Sequence, residues 1–321
     1  MNLSTSNFGI VQLKQHSARK YSTTYDRVTH QYYKPGNLSM LRVALAVIFL
    51  SGLTGCASLM SSSTERMANN ITQAMLNQDD LETVKAGAPA YLLMIDGLIE
   101  GSPEDTSLLL AGSKLYSSYA TTFVTDEDRS RRLAAKSLSY AKRAMCQNNS
   151  ALCKAVDGRL DDLEIVLADT DLNDQKALYG YAVAWAGWIQ ANISDWNAIA
   201  AIPKLVALLN RSNELNEAFD KGGAHLYLGV LTTLLPPSAG GKPEVGRKHF
   251  EQAQTLSDGN NLMVNVLFAK HYARLVFDQD LHDRLLKQVL TADTQKPGLT
   301  LINTLAKKRA GELLAESSDY F

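Results

Sequence analysis

The chain has almost no net charge, with 32 lysines and arginines against 33 aspartates and glutamates in 321 residues. Nucleic-acid binding needs a basic surface that releases counterions from phosphates, so that class of partner is excluded. The clearest apolar run, residues 43–50, is far shorter than the roughly 20 residues a membrane-crossing helix requires. Catalytic signatures are missing too. There is no Cys-x-x-Cys, no zinc-protease histidine spacing and no Gly-x-Ser-x-Gly elbow, and Gly240-Gly241-Lys242 lacks the spacing of a phosphate loop. No metal or cofactor is expected, and the chain reads as non-enzymatic. Strand-like alternation is nearly absent after Ser61.

What is present begins near the N-terminus. Arg42 precedes the apolar run, and Leu53-Thr54-Gly55-Cys56 comes after it. A basic n-region, an apolar h-region and small residues before a cleavage point are the layout of a secretory signal. The four residues ending in Cys56 resemble the lipobox of bacterial lipoproteins. That resemblance implies acylation of the Cys56 thiol and a mature chain starting there. Residues 1–39 are polar and without apolar period, which predicts disorder. Met40 would start an ordinary short signal, with 1–39 an extension ahead of it; the rival reading is one long n-region. The expected divisions are therefore 1–39 extension, 40–55 signal peptide, 56–70 lipidated tether and 71–321 helical domain. Residues 1–55 hold six basic residues and one acidic, which leaves 26 against 32 and a net charge of −6. Such a surface does not cling to anionic lipid, so attachment would rest on the acyl chains. Ala57, rather than an aspartate, comes directly after the anchor, a pattern resembling outer-membrane rather than inner-membrane delivery.

The mature chain reads as helices joined by short connections. Expected spans are 64–78, 81–99, 104–123, 127–147, 150–168, 173–193, 196–218, 223–235, 243–257, 261–277, 280–293 and 298–316. Leu262, Val266, Ala269, Ala273 and Val276 are spaced as one helical face. Prolines fall mostly at helix starts: Ser102-Pro103 would cap one helix, Lys242-Pro243 and Lys296-Pro297 would open others, and Thr125-Asp126-Glu127-Asp128 repeats the cap chemistry. Short loops imply antiparallel neighbours. Gly246, Phe250 and Ala253, four then three apart, give the small-large-small order of a tetratricopeptide second helix, with Gly229 upstream for close approach. The expectation is an all-α, helical-repeat superhelix of antiparallel pairs.

Cys146 and Cys153 remain as a pair. On a continuous helix they would lie about 10 Å apart, too far to bridge. They can bond only if residues 147–150 turn; otherwise they are two buried thiols on facing helices. Tyr181, Trp185 and Trp188 share one helical face. With Tyr227 they would border a binding groove, aromatics being favoured at hot spots; the competing reading is plain core. His271 reads as a packed or surface helix histidine. His282-Asp283 with Asp280 could imitate a general-base pair, but reads more simply as solvated groups at a helix start.

The resemblance becomes specific in Ala224-His225-Leu226-Tyr227-Leu228-Gly229, Gly240-Gly241-Lys242-Pro243-Glu244 and His249-Phe250-Glu251-Gln252-Ala253. Leu110-Ala111-Gly112-Ser113-Lys114-Leu115-Tyr116, Phe268-Ala269-Lys270-His271-Tyr272-Ala273-Arg274 and Asp283-Arg284-Leu285-Leu286 extend it. The chain is similar to the TatT family, the T components of tripartite ATP-independent periplasmic (TRAP) transporters, from Cys56 to about Leu314. It departs from that pattern at Pro236-Pro237-Ser238. The resemblance implies a lipid-anchored array of degenerate tetratricopeptide repeats facing the periplasm. It also implies a ring-like homotrimer that binds the periplasmic solute-binding protein of the transporter, and it carries no catalytic residues. The alternative is a tetratricopeptide scaffold lipoprotein for envelope assembly.

Overall fold

Aspartate and asparagine set most helix starts. In the computed structural model, which describes residues 66–67, 70–234, 237–239 and 241–321, every regular element is helical and no strand occurs among the described residues. The extension 1–39, the signal 40–55, Cys56 and nearly all of the tether lie outside the described residues. Helix α1 (Leu81–Gly101) begins at Asp80, whose carboxylate accepts from the Glu82 and Thr83 N–H groups. Helix α2 (Thr106–Phe123) begins at Asp105, which accepts from Ser107 and Leu108. Ser102 is thus not the cap of α2; it closes α1, and Ser102 to Asp105 form a turn held by the Asp105 N–H on the Ser102 carbonyl. A carboxylate bonded to two backbone N–H groups facing the positive helix end outcompetes a serine three residues earlier. Asp126 likewise caps α3 (Glu127–Asn148).

Residues 150–168 form two helices rather than one: α4 (Ser150–Ala155) and α5 (Leu160–Ala168), with Val156 to Arg159 between them. Next in the chain are α6 (Gln175–Ala191), α7 (Trp196–Ala200), α8 (Ile202–Asn216) and α9 (Gly223–Thr232). Helix α10 (Pro243–Leu256) starts with its proline at N1, as the sequence predicts, where no N–H is required. Helix α11 (Leu262–Leu267) runs into a π-helical stretch, Phe268–Ala273. The last elements are α12 (Gln279–Thr291), α13 (Thr300–Ala315) and the single turn α14 (Ser317–Tyr320). Pro297 does not open α13, which starts three residues later.

Neighbouring helices run antiparallel. Between α2 and α3, Gly112 meets Tyr140, Ser113 bonds Ser137 and Tyr119 meets Arg129, so one number rises as the other falls. Between α9 and α10, Gly229 faces Phe250 while Gly246 faces Thr232 and Thr233.

The apolar core forms three successive clusters. The first joins α1, α2 and α3 around Ile95, Leu108, Leu109 and Tyr116. The second spans α3 to α9 around Met145, Leu163, Leu178 and Leu205. The third spans α10 to α13 around Phe250, Phe268, Leu286 and Ala306. Leu301 of α13 belongs to the first cluster. Gln295 bonds the Asp79 carboxylate at 2.9 Å, and the Gly298 N–H donates to Asn77 at 2.6 Å. The last helices thereby return to the first, and the array closes on itself.

Candidate functional site

Helix α6 carries the aromatic stripe. Tyr181 and Trp185 are 4% and 8% exposed, with ring centroids 5.3 Å apart, inside the second core cluster. Trp188 and Tyr227 are half-buried against the same cluster. Tyr181 and Trp185 touch each other, whereas Tyr227 lies toward Tyr179 and Asp220 near the start of α6 and Trp188 lies near its end, so the four do not form one group. The i, i+4, i+7 face of α6 turns inward onto α3 and α8, so its first two members are packed and only Trp188 and Tyr227 keep an edge in water. Burial raises the hydroxyl pKa of Tyr181 and Tyr227, which leaves both as neutral phenols.

The antiparallel α9–α10 pair brings together two histidines that sequence reasoning did not connect. Nδ1 of His225 and Nδ1 of His249 lie 2.8 Å apart. Nε2 of His225 lies 3.0 Å from Oε1 of Glu217, which also accepts from Gln252 at 3.1 Å. A carboxylate only accepts, so His225 donates from Nε2; as a neutral ring it then accepts at Nδ1, and His249 must donate. Burial, then the neighbouring His225, pull His249 down to about 4. A signal existed: His225 is one helical turn before Gly229, and His249 directly precedes Phe250, so an antiparallel pairing of that motif places them face to face.

Sequence reasoning also missed Asp96. Its carboxylate accepts from the hydroxyls of Tyr116 (2.8 Å) and Tyr140 (2.7 Å) and from the Lys136 ammonium. Lys136 lies 4.9 Å above the Tyr116 ring. Burial, then the bond to Asp96, push Tyr140 up to about 12. This network ties α1, α2 and α3 across their half-buried seam. Tyr179 plays a similar part at the entrance to α9, donating to Asp220 at 2.7 Å. A Cβ on Gly223 would stand 2.1 Å from the Tyr179 hydroxyl, so only glycine fits there.

His282 is fully buried, not solvated, and its Nδ1 lies 3.0 Å from Asp283 Oδ1. Ser317 donates to that same oxygen at 2.6 Å. The serine is thus wired to the aspartate and not to the histidine, which is the wrong order for an activated nucleophile. His271 lies in the π-helical stretch, half-buried, and burial with the Lys270 charge lowers it to about 4. Cys146 and Cys153 are disulfide-bonded, with Cα atoms 4.7 Å apart. Asn149 makes that approach available: its extended backbone ends α3 and its side chain caps α4, breaking the helix between the two cysteines.

Among the described residues no group of three or more His, Cys, Asp or Glu side chains could hold a metal, and no helix is long and apolar enough to cross a membrane. The described domain is all-helical, and its buried polar clusters join neighbouring helices. The chain belongs to the TRAP transporter T-component family, whose model matches residues 77–321. Membership makes it an accessory component of a TRAP transporter, associated with the cell envelope. It is also similar to an uncharacterized protein of Treponema pallidum (strain Nichols), 24% identical over 274 residues, covering 78% of this chain and 84% of that one.

Proposed function

We propose that this chain is a lipid-anchored, periplasm-facing, non-enzymatic component of a TRAP-type uptake system that holds the transporter's solute-binding protein. The family match over residues 77–321 carries the reading. Supporting it, Leu53-Thr54-Gly55-Cys56 supplies a thiol for acylation and residues 57–70 a tether. Three acyl chains exceed the two signals that stable anchoring takes. Ala57 favours the outer membrane. The successive core clusters and antiparallel pairs support degenerate tetratricopeptide units, and the family resemblance supports a homotrimer. Trp188 and Tyr227, the half-buried members of the aromatic set, are assigned to a groove for partner or ligand, while Tyr181 and Trp185 lie in the core.

The test is co-purification of the full chain with the soluble solute-binding protein of the same transporter, alongside labelled palmitate incorporation into wild type and Cys56→Ser. A complex of micromolar or tighter affinity and label lost only in the variant are expected. Absence of any complex at tens of micromolar would overturn the docking role, and label retained by Cys56→Ser would overturn the anchor. Trp188→Ala, folded but with undiminished affinity for both solute and partner, would remove the groove.

A further inference from the structure

Phe277 occupies a backbone position that ordinarily belongs to glycine. Its φ is +60°, in the left-handed region where a bulky side chain is strained. The Asp278 N–H donates to the Ala273 carbonyl at 2.9 Å and the Phe277 N–H to the Arg274 carbonyl at 3.3 Å. Those are the two bonds of a Schellman motif with Phe277 at the C′ position, where glycine is strongly preferred. The end of α10 repeats the motif, with Gly259 bonded to Gln254 and Asp258 to Thr255, and there a small aspartate takes the left-handed site. Phe277 gains little burial in return, being 65% exposed.

Its ring stands 5.3 Å from Phe321 and 6.1 Å from Tyr320. Val276 and Tyr320 are exposed beside it. The underside of this aromatic group is fixed. The Arg274 guanidinium lies 4.4 Å from the Tyr320 ring centre and bonds Glu316 at 3.2 Å. Buried His282 meets the Phe321 ring edge-on at 5.2 Å. Around the rim stand the exposed carboxylates of Asp278, Asp280, Glu316 and Asp319; Arg274 is paired with Glu316, and the exposed cations Arg284 and Lys287 lie beside Asp280. The π-helical turn immediately ahead, a feature frequent at functional sites, delivers the chain to this corner.

We propose that the Phe277–Tyr320 edge is the face that docks the transporter's solute-binding protein, at a surface offering an apolar socket ringed by lysine or arginine. This rests on the docking function proposed above and assigns it to this edge, which leaves the Trp188 and Tyr227 groove to the ligand. Strain retained in an exposed aromatic, a rigid base and a rim with more carboxylates than cations are the elements of an interface hot spot with electrostatic guidance.

Phe277→Gly tests it, because glycine removes the ring while relieving the backbone. The variant is expected to fold, with a melting temperature at or above wild type, and to bind the purified solute-binding protein at least ~10-fold more weakly. Wild-type binding should weaken between about 50 and about 300 mM salt, and Asp319→Lys should reduce both affinity and salt slope. Wild-type affinity in Phe277→Gly would overturn the assigned face and leave the docking function standing. No complex with the wild-type chain would overturn both. Should Phe277→Gly lose its helical circular dichroism, Tyr320→Ser, which leaves that backbone alone, must show the same loss of affinity, and unaltered binding there overturns the face.

Discussion

Gly229 lies flat against Phe250: a Cβ at position 229 would stand 2.9 Å from Cε1 and 3.0 Å from Cδ1 of that ring. Phe250 is completely buried and stacks on Phe268 at 5.1 Å, so it has nowhere to retreat. Alanine is the better helix former by about 1 kcal/mol, yet overpacking a close contact costs about 1–3 kcal/mol. The steric term wins, and Gly229→Ala should destabilise by about 1–2 kcal/mol. Gly97, inside α1, has no atom within 4 Å of its would-be Cβ. Gly97→Ala should therefore stabilise by about 0.5–1 kcal/mol. Urea denaturation of both variants measures the contrast, and like signs would refute the packing argument.

The Asp96 carboxylate serves three donors from two other helices, so its loss strands them together. Asp96→Ala leaves the Lys136 ammonium and two tyrosine hydroxyls without their acceptor. Lys136 keeps 40% of its side chain in water and can partly resolvate, which reduces the penalty of an unpaired charge to about 2 kcal/mol. Tyr116→Phe and Tyr140→Phe should cost about 1 kcal/mol each. In the Asp96→Ala background the tyrosine changes should cost almost nothing, since the shared acceptor is already gone. Additive losses in a double-mutant cycle would show that the three bonds do not act as one unit.

The helical class, the antiparallel pairing and the Gly229–Phe250–Gly246 contact were legible because they arise from periodicity, short loops and residue size. The division of residues 150–168 was not, since the apolar spacing continues across Val156 to Arg159. Val276 fits the face begun by Leu262 and Val266, yet it is exposed. The π-helical turn explains this: the Arg274 N–H reaches back five residues to Ala269, and one extra residue rotates the remainder of the helix by about 100°. His225 with His249, and Asp96 with Tyr116, Lys136 and Tyr140, were hidden for another reason. Their members lie 20 to 44 residues apart, and only the register of the helix pairs joins them.

Cys146 and Cys153 close a loop of seven residues' separation around the Asn149 break. Chain entropy for a loop that short predicts about 2.5 kcal/mol of stabilisation. The protein prepared without reductant should resist alkylation at both thiols after denaturation. Cys146→Ser with Cys153→Ser should lower stability by about that amount while leaving α3 and α4 helical. Ready alkylation of both thiols in unreduced protein would rule the bridge out.

Two histidines make the fold sensitive to acid before its carboxylates do. Burial and the neighbouring His225 hold His249 at about 4, and burial with the Lys270 charge holds His271 at about 4. An unfolded histidine titrates near 6.5. Between pH 6.5 and 4 the unfolded chain therefore takes up protons that the folded chain refuses. Stability is complete above pH 6.5 and declines as the pH falls. Both side chains keep some contact with water, which discounts the effect to about 1–2 kcal/mol for the two together by pH 5. Melting temperature measured from pH 7 to pH 5 should fall in the wild type. His249→Gln with His271→Gln should flatten that slope, glutamine at 249 still offering an N–H toward His225. Equal slopes in the two proteins would locate the acid sensitivity elsewhere.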